Sequence, residues 1–211
     1  MSAALVVSPH SDDAAISIGS TIYHAFDRCV ILTPFSRSMA NMLGVRHEVT
    51  ALRKVEDAAV ARAYGFRFEY ADFPDTSIRG VKWDAPDAPV DAALLDALCG
   101  WLRERVAAHA EDAGDLVIFY PAAIGGHPDH RLCALAARRI VPRFAAALVY
   151  VEQPYAHEVG QPLGPHAQRR PFDSGFKRQM LRLYPSQLTD ERVELLVRLG
   201  AEYVMPRGGA W

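Results

Sequence analysis

Apolar residues along the chain fall into short unbroken runs separated by longer stretches of helical spacing. Ala3–Val7 is too short for a helix and predicts a buried strand, with a helix over Ala14–Phe26 after it. Cys29–Phe35 predicts a second strand. Val49, Leu52, Val55, Ala59 and Ala63 mark one face of a helix over residues 46–64, closed by Gly65. Phe66–Phe73 alternates and predicts a strand ending near Asp72. The polar, proline-rich stretch 74–89 predicts a loop over one end of the sheet. A helix over Val90–Ala110 carries Leu94, Leu98, Trp101 and Leu102. Asp115–Pro121 predicts a buried strand, residues 127–141 a helix and residues 146–154 another strand. Near the end, Asp173 or Ser174 is expected to cap a helix over Phe176–Leu183, and Thr189 one over Asp190–Leu199 before Gly200.

Strands that are continuously apolar, alternating with helices, predict an α/β fold. The expected form is Rossmann-like, a mostly parallel sheet with helices on both faces. The 211 residues suit one domain, 1–211. In such sheets ligands bind beyond the carboxyl ends of the strands, so residues just past each strand end are the first candidates for a site.

The first strand is followed by PHSDD, residues 9–13. His10 and Asp13 are three apart, a spacing that brings both to one side of a helical turn, and imidazole and carboxylate are ordinary zinc ligands. Asp12 projects differently and stays free to contact water at the metal. The alternative is structural, with Asp12 or Asp13 as the N-cap of the next helix. After the strand 115–121 comes GGHPDH, residues 125–130, in which His127 and His130 repeat the spacing. Pro128 suits a first helical turn, and the glycines permit close backbone approach. One carboxylate and two imidazoles together make a three-ligand set with an open position, as in hydrolytic zinc sites.

With both motifs in place, the chain resembles the LmbE-like, or PIG-L, family of zinc-dependent deacetylases, which act on N-acetylglucosaminyl conjugates and related amides. The family's (A/S)HPDDE with its glycine-rich helix start stands here as PHSDDAAISIGST, and its HPDH is intact at residues 127–130. RKVEDAAVARAYG, residues 53–65, is similar to the family's R-x-x-E stretch, and YPSQ, residues 184–187, to its Tyr/His-x-Ser-Gln. The resemblance implies Zn2+ held by His10, Asp13 and His130, with Asp12 as general base. It implies His127 as the group that stabilises the tetrahedral intermediate or protonates the leaving amine, oriented by Asp129; a protonated His127 would offer charge stabilisation. Arg53 resembles a pocket arginine that contacts substrate, with an ion pair to Glu56 or Asp57 as the alternative. Ser11 replaces the motif's proline and Ala14 its glutamate, changes that bear on the pocket floor rather than on ligands or base.

The expected activity is hydrolysis of an N-acyl amide, with an N-acetylated amino sugar or its conjugate as substrate, in specialised-metabolite biosynthesis by resemblance. The alternatives are an amidase acting on a non-sugar conjugate and a noncatalytic metal- or sugar-binding protein. The partner the resemblance implies is a small-molecule substrate, and composition points to no other. A formal net charge of −2, with acidic residues interspersed among the arginines, leaves no footprint for nucleic acid or an anionic membrane. No apolar run approaches the roughly 18 residues of a membrane span. Three distant cysteines without a CxxC read as reduced thiols, and a cytoplasmic location is expected, with homo-oligomerisation open. Asp72 and Asp75 are expected to cap a loop rather than touch sugar hydroxyls. His157 and His166 are expected in exposed loops and Cys133 as a buried thiol, while His24, His47 and His109 lack a partner motif.

Overall fold

The structure, a computed structural model, describes residues 2–45, 47–110, 115–141, 146–158, 160 and 163–207. Its strands are β1 (Ser2–Val7), β2 (Arg28–Thr33), β3 (Arg67–Tyr70), β4 (Asp115–Pro121), β5 (Ala146–Tyr150), β6 (Gln168–Pro171) and β7 (Ala201–Pro206). They form one sheet in the order β3-β2-β1-β4-β5-β7-β6. The first five run parallel, and β7 and β6 complete the sheet antiparallel. The expected Rossmann-like α/β class holds, with a mixed edge. That edge was not predicted. The exposed Gln-Arg-Arg-Pro of β6 has no apolar pattern, and it is placed by pairing with β7.

The helices are α1 (Asp13–Ser17), α2 (Gly19–Ala25), α3 (Thr50–Tyr64), α4 (Thr76–Arg79), α5 (Ala92–Ala110), α6 (Pro128–Ile140), α7 (Tyr155–Glu158), α8 (Ser174–Leu181) and α9 (Asp190–Arg198). Side chains of β1 alternate between two cores. Leu5 and Val7 pack with Leu98 and Leu102 of α5 and Leu132 and Cys133 of α6. Ala4 and Val6 pack with Ile22 of α2, Val60 of α3, Met180 of α8 and Leu196 of α9. Both faces are therefore covered, which is why the strands read as unbroken apolar runs. Leu5, Val6 and Val7 are fully buried, each contributing roughly 1.5–3 kcal/mol of transfer free energy.

Several boundaries differ from expectation. The helix predicted over 14–26 breaks at Ile18 (φ −146°, ψ 2°). Beyond the break, Gly19 lets α2 approach α8, since a Cβ there would lie 2.5 Å from the Met180 sulfur. Helix α3 begins at Thr50, and the predicted start at Arg46 lies outside the described residues. The polar stretch 74–89 contains the one-turn helix α4, with Asp75 as its N-cap. Among the described residues no helix is long and apolar enough to cross a membrane.

Candidate active site

Strand β1 is the pivot of the sheet. From it the chain winds outward to β2 and β3, then returns to place β4 on its other side. The crevice between the carboxyl ends of β1 and β4 is thus the topological switch point, where such sheets bind ligands. Because β1 and β4 pair in parallel, with Val6 opposite Phe119, both histidine motifs emerge at the same rim.

The turn after β1 frees its aspartates. Ser8 Oγ accepts from the Ala14 amide at 3.0 Å and donates to the His10 carbonyl at 2.6 Å. It thereby does the capping that Asp12, which has no side-chain cap hydrogen bond, does not. Asp13 turns back instead, its Oδ2 accepting from the His10 amide at 2.8 Å. The N-cap alternative for these residues is not what the fold uses. On the other side, His127 is the N-cap of α6, its Nδ1 accepting the Asp129 amide at 3.2 Å, with Pro128 at the first position. His10, His127 and His130 meet with ring centroids 4.8–5.3 Å apart.

Around Asp13 the donor set is ordered. His10 Nδ1 lies 3.1 Å and His130 Nε2 3.2 Å from Asp13 Oδ2. Behind each ring stands a second carboxylate: Asp129 Oδ2, 2.9 Å from His10 Nε2, and Glu152 Oε1, 3.2 Å from His130 Nδ1. A carboxylate behind each imidazole fixes the tautomer that presents the other nitrogen to a metal. His130 Nε2 is buried and, though 3.2 Å from Asp13 Oδ2, makes no hydrogen bond of proper geometry, so protein gives this ligand atom an ionic contact alone. His10, Asp13 and His130 offer ligand atoms within 4.8 Å of one another, as do His10, His127 and Asp129. In the second trio the Asp129 carboxylate already has protein partners on both oxygens. Asp129 accepts from Arg79 Nη2 at 2.6 Å and from the Thr76 amide at 3.0 Å besides meeting His10, and His127 Nδ1 is already occupied. The first trio fits a cation; the second does not.

Electrostatics agree. Burial pulls the His10 imidazole down, but its bonds to Asp129 and Asp13 outweigh this and push it up to about 10. Burial likewise opposes the charge on His130, whose neighbours Asp13 and Glu152 raise it to about 9. Protons on these rings stand where a metal's positive charge would serve. Burial works to raise Asp13, yet His130 and His10 hold it well below the usual carboxylate range. Burial, then the charge of Asp13, raises Asp12 against the pull of Arg53 and His10.

His127 behaves differently from expectation in two respects. Burial and the adjacent His10 and His130 lower it to about 2, so the ring is neutral rather than protonated. A backbone amide can only donate, so His127 Nδ1 is an acceptor and the ring proton sits on Nε2. The Asp129 carboxylate, expected to orient His127, is instead committed to His10, Arg79 and the Thr76 amide; Asp129 positions His127 through its backbone amide.

Asp12, His10, Asp13, His127 and Arg53 line a cavity of about 850 Å³. Arg53 is buried and donates to the Ala40 carbonyl at 2.7 Å. Its helix neighbours are engaged elsewhere, Glu56 by Ser186 and Asp57 by Tyr70 and Tyr184. Asp75 lines the cavity while capping α4, and Asp72 pairs with Lys54 at 2.7 Å. Ser11 and Ala14 are buried beside the lining residues His10, Asp12 and Asp13 and do not themselves line the cavity. His157 and His166 are exposed away from the lining. The Cys133 thiol is fully buried and raised by that burial, as a packed thiol should be.

Sequence reasoning missed Glu152 and Arg79. Glu152 accepts from the amides of Ala122 and Ala123 at 3.1 and 2.7 Å besides facing His130. An acid directly after a buried strand was the available signal, but the strand was predicted to run to residue 154. Its pairing with β4 ends at Tyr150 opposite Pro121.

Residues 5–141 match the family model described as PIG-L: GlcNAc-PI de-N-acetylase. A 2'-N-acetylparomamine deacetylase from Streptomyces fradiae is 34% identical over 163 residues, covering 72% of this chain and 57% of that protein. The match thus spans little more than half of that relative's length. A deacetylase of the teicoplanin biosynthesis pathway superposes with a TM-score of 0.75 at 19% identity over 97% of each chain. The 4-carboxy-2-hydroxymuconate hydratase of Pseudomonas putida KT2440 does so with a TM-score of 0.62 at 18% identity, over 94% of this chain and 84% of that one. At these identities the structures share the fold, and a fold that hosts both a deacetylase and a hydratase does not itself select the reaction.

Proposed function

Because the chain belongs to the PIG-L family of de-N-acetylases, we propose that it removes the N-acetyl group from an amino sugar or its conjugate, with zinc held by His10, Asp13 and His130. The observation that carries this reading is the buried His130 Nε2, without a hydrogen bond of proper geometry, facing Asp13 and His10, each imidazole backed by a carboxylate. Family membership and the paromamine-derivative deacetylase support hydrolysis of a sugar amide in specialised metabolism. Zinc, when bound, supplies a Lewis acid for the amide carbonyl and acidifies water.

The chain's own residues do the rest. Asp12 accepts the proton of the attacking water, and a carboxyl raised above its usual range is suited to return that proton to the leaving amine. His127 Nε2–H donates to the carbonyl oxygen as it gains charge, a neutral donor held in place by the Asp129 amide. Asp129, fixed by Arg79 and the Thr76 amide, orients His10, and Glu152 orients His130. Arg53 and Gln153 line the cavity and supply a guanidinium and a side-chain amide, groups suited to sugar hydroxyls.

The test is acetate release from N-acetylglucosamine, N,N'-diacetylchitobiose and 2'-N-acetylparomamine by zinc-loaded protein, beside Asp12→Asn. Turnover by wild type and its loss in Asp12→Asn with zinc retained is the expected result. Loss of zinc from Asp12→Asn would make Asp12 a ligand and overturn the division of roles. Failure to release acetate from any of these amides would favour the noncatalytic binding alternative.

A further inference from the structure

The cavity is larger than the group that reacts. Its 850 Å³ lies near the upper end of the roughly 300–1,000 Å³ typical of sites for drug-sized ligands, and an N-acetyl group on one sugar ring is smaller than such a ligand. The cavity also carries large apolar side chains in water: Met39, Met42 and Trp83 line it, yet are 40%, 64% and 58% exposed. Patches of this kind beside a cleft mark ligand-binding surface.

The loops that bear them are anchored. The Met39 amide donates to Ser77 Oγ at 2.8 Å and the Met42 amide to the Ser186 carbonyl at 2.8 Å. Asn41 binds its own loop through the Met39 and Val45 carbonyls, each at 3.0 Å. On the other side Arg131 of α6 donates to the Pro86 and Ala88 carbonyls, the latter at 2.9 Å. Pro86 lies so close over Gly126 that a Cβ there would meet it at 2.5 Å. The loop of Trp83 is therefore docked on the segment that presents His127. Lys82 and Asp84, the chain neighbours of Trp83, line the same cavity with opposite charges, which suits a hydroxylated ligand with apolar ring faces better than an anionic lipid surface.

We propose that Trp83 is the platform on which a second ring, joined to the acetylated amino sugar, stacks by its apolar face, with Met39 and Met42 completing the rim. Trp83 is then the residue that sets the KM difference between a two-ring substrate and the free monosaccharide. This rests on the de-N-acetylase reading, which sends the acetyl carbonyl to His127 and the amine's substituents toward the mouth.

Trp83→Ala should raise KM for N,N'-diacetylchitobiose about tenfold, the scale of one aromatic contact, with kcat nearly unchanged, as for binding shared by ground and transition states. N-acetylglucosamine kinetics should stay nearly constant, and Trp83→Phe should recover most of the loss. Independently, titrating Asp12→Asn protein with the disaccharide should change tryptophan fluorescence, and the change should vanish in Asp12→Asn/Trp83→Phe. Equal losses on both sugars would overturn the proposal, as would a fluorescence response that survives without Trp83. Dissociation of a dimer by Trp83→Ala at unchanged KM would make the rim an interface between copies, and also overturns it. If wild type releases acetate from neither sugar nor from 2'-N-acetylparomamine, the de-N-acetylase reading fails on its own. The fluorescence titration then still decides the platform: a Trp83-dependent signal keeps it and no signal removes it.

Discussion

Among the described residues, the buried ion pair of Lys177 and Glu202 contrasts with the histidine–carboxylate cluster at the rim. Lys177 of α8 donates to Glu202 of β7 at 2.5 Å and to the Ala15 carbonyl at 2.7 Å. Glu202 in turn accepts from the Ser20 and Thr21 amides at 3.0 and 2.7 Å and from Thr21 Oγ1 at 2.6 Å. One cation meets one anion, and the spare oxygens close the start of α2. At the rim, Asp13, Asp129 and Glu152 face a single fixed cation, Arg79, and His10 and His130 balance them only by holding protons. Burial of charge therefore does not by itself mark a site. What marks it is a charge set that protein alone leaves short of a cation.

The widest separation between the pair and the rim cluster should come from the metal. Zinc-loaded wild type should carry about one ion per chain and His130→Ala almost none, measured by elemental analysis after dialysis. Chelation should lower the melting temperature of wild type, because a ligand bound only to the folded state stabilises it, and leave that of His130→Ala in place. Full zinc content in His130→Ala would sink the ligand assignment.

The Lys177–Glu202 pair should fail through stability rather than metal content. Lys177→Met strands Glu202 without its partner, and breaking such a pair costs about 3–5 kcal/mol. Denaturant titration should show this loss while the folded fraction keeps its zinc. Adding Glu202→Gln should recover part of it. A loss below about 1 kcal/mol, the range of exposed pairs, would mean that the pair contributes as little as one at the surface.

His127 sharpens the contrast within the rim itself. As an oxyanion donor that holds no metal, His127→Ala should keep zinc and lower kcat by roughly 10²–10³-fold. The pH dependence is set by the sign of its shift. A ring lowered to about 2 is already neutral throughout the working range, so no alkaline limb belongs to it. The pH–rate profile of the variant should be lower and otherwise the same shape. A limb present in wild type and absent in His127→Ala would show instead that the ring works as an imidazolium.

How much of this was legible in the sequence depends on what holds each residue. PHSDD and HPDH stand directly after continuous apolar runs, so strand ends and three-residue spacing suffice to bring them to one rim. Arg79 and Glu152 were hidden because their partners are remote, 50 residues away at Asp129 and 22 at His130. Their own surroundings read as loop and as strand. The β6 edge was hidden for a related reason, being specified by its neighbour rather than its own pattern. The neutrality of His127 lay beyond sequence altogether, since it arises from burial and from two rings packed against it. The HPDH string alone favours the opposite protonation, with an acid two residues away.

The smallest expected effect concerns Asp75, where capping and substrate contact were both open from sequence. Its carboxylate accepts from the Ser77 and Ile78 amides at 2.9 and 3.2 Å and holds the single turn of α4. That turn presents the Thr76 amide and Arg79 to Asp129, and through Asp129 it steadies His10. Asp75→Ala should therefore cost about 1 kcal/mol of stability, the usual loss for a cap. It should also weaken zinc binding by about tenfold, the low end for removing support behind a ligand. Asn caps nearly as well as Asp, so Asp75→Asn should restore both stability and zinc affinity. Because Asp75 also lines the cavity, the same variant separates the two roles. If Asp75→Asn folds and binds zinc like wild type but loses tenfold or more in kcat/KM, the carboxylate contacts substrate and capping is only part of its work. If kcat/KM is restored as well, Asp75 belongs to the scaffold that completes the rim, three links from His10.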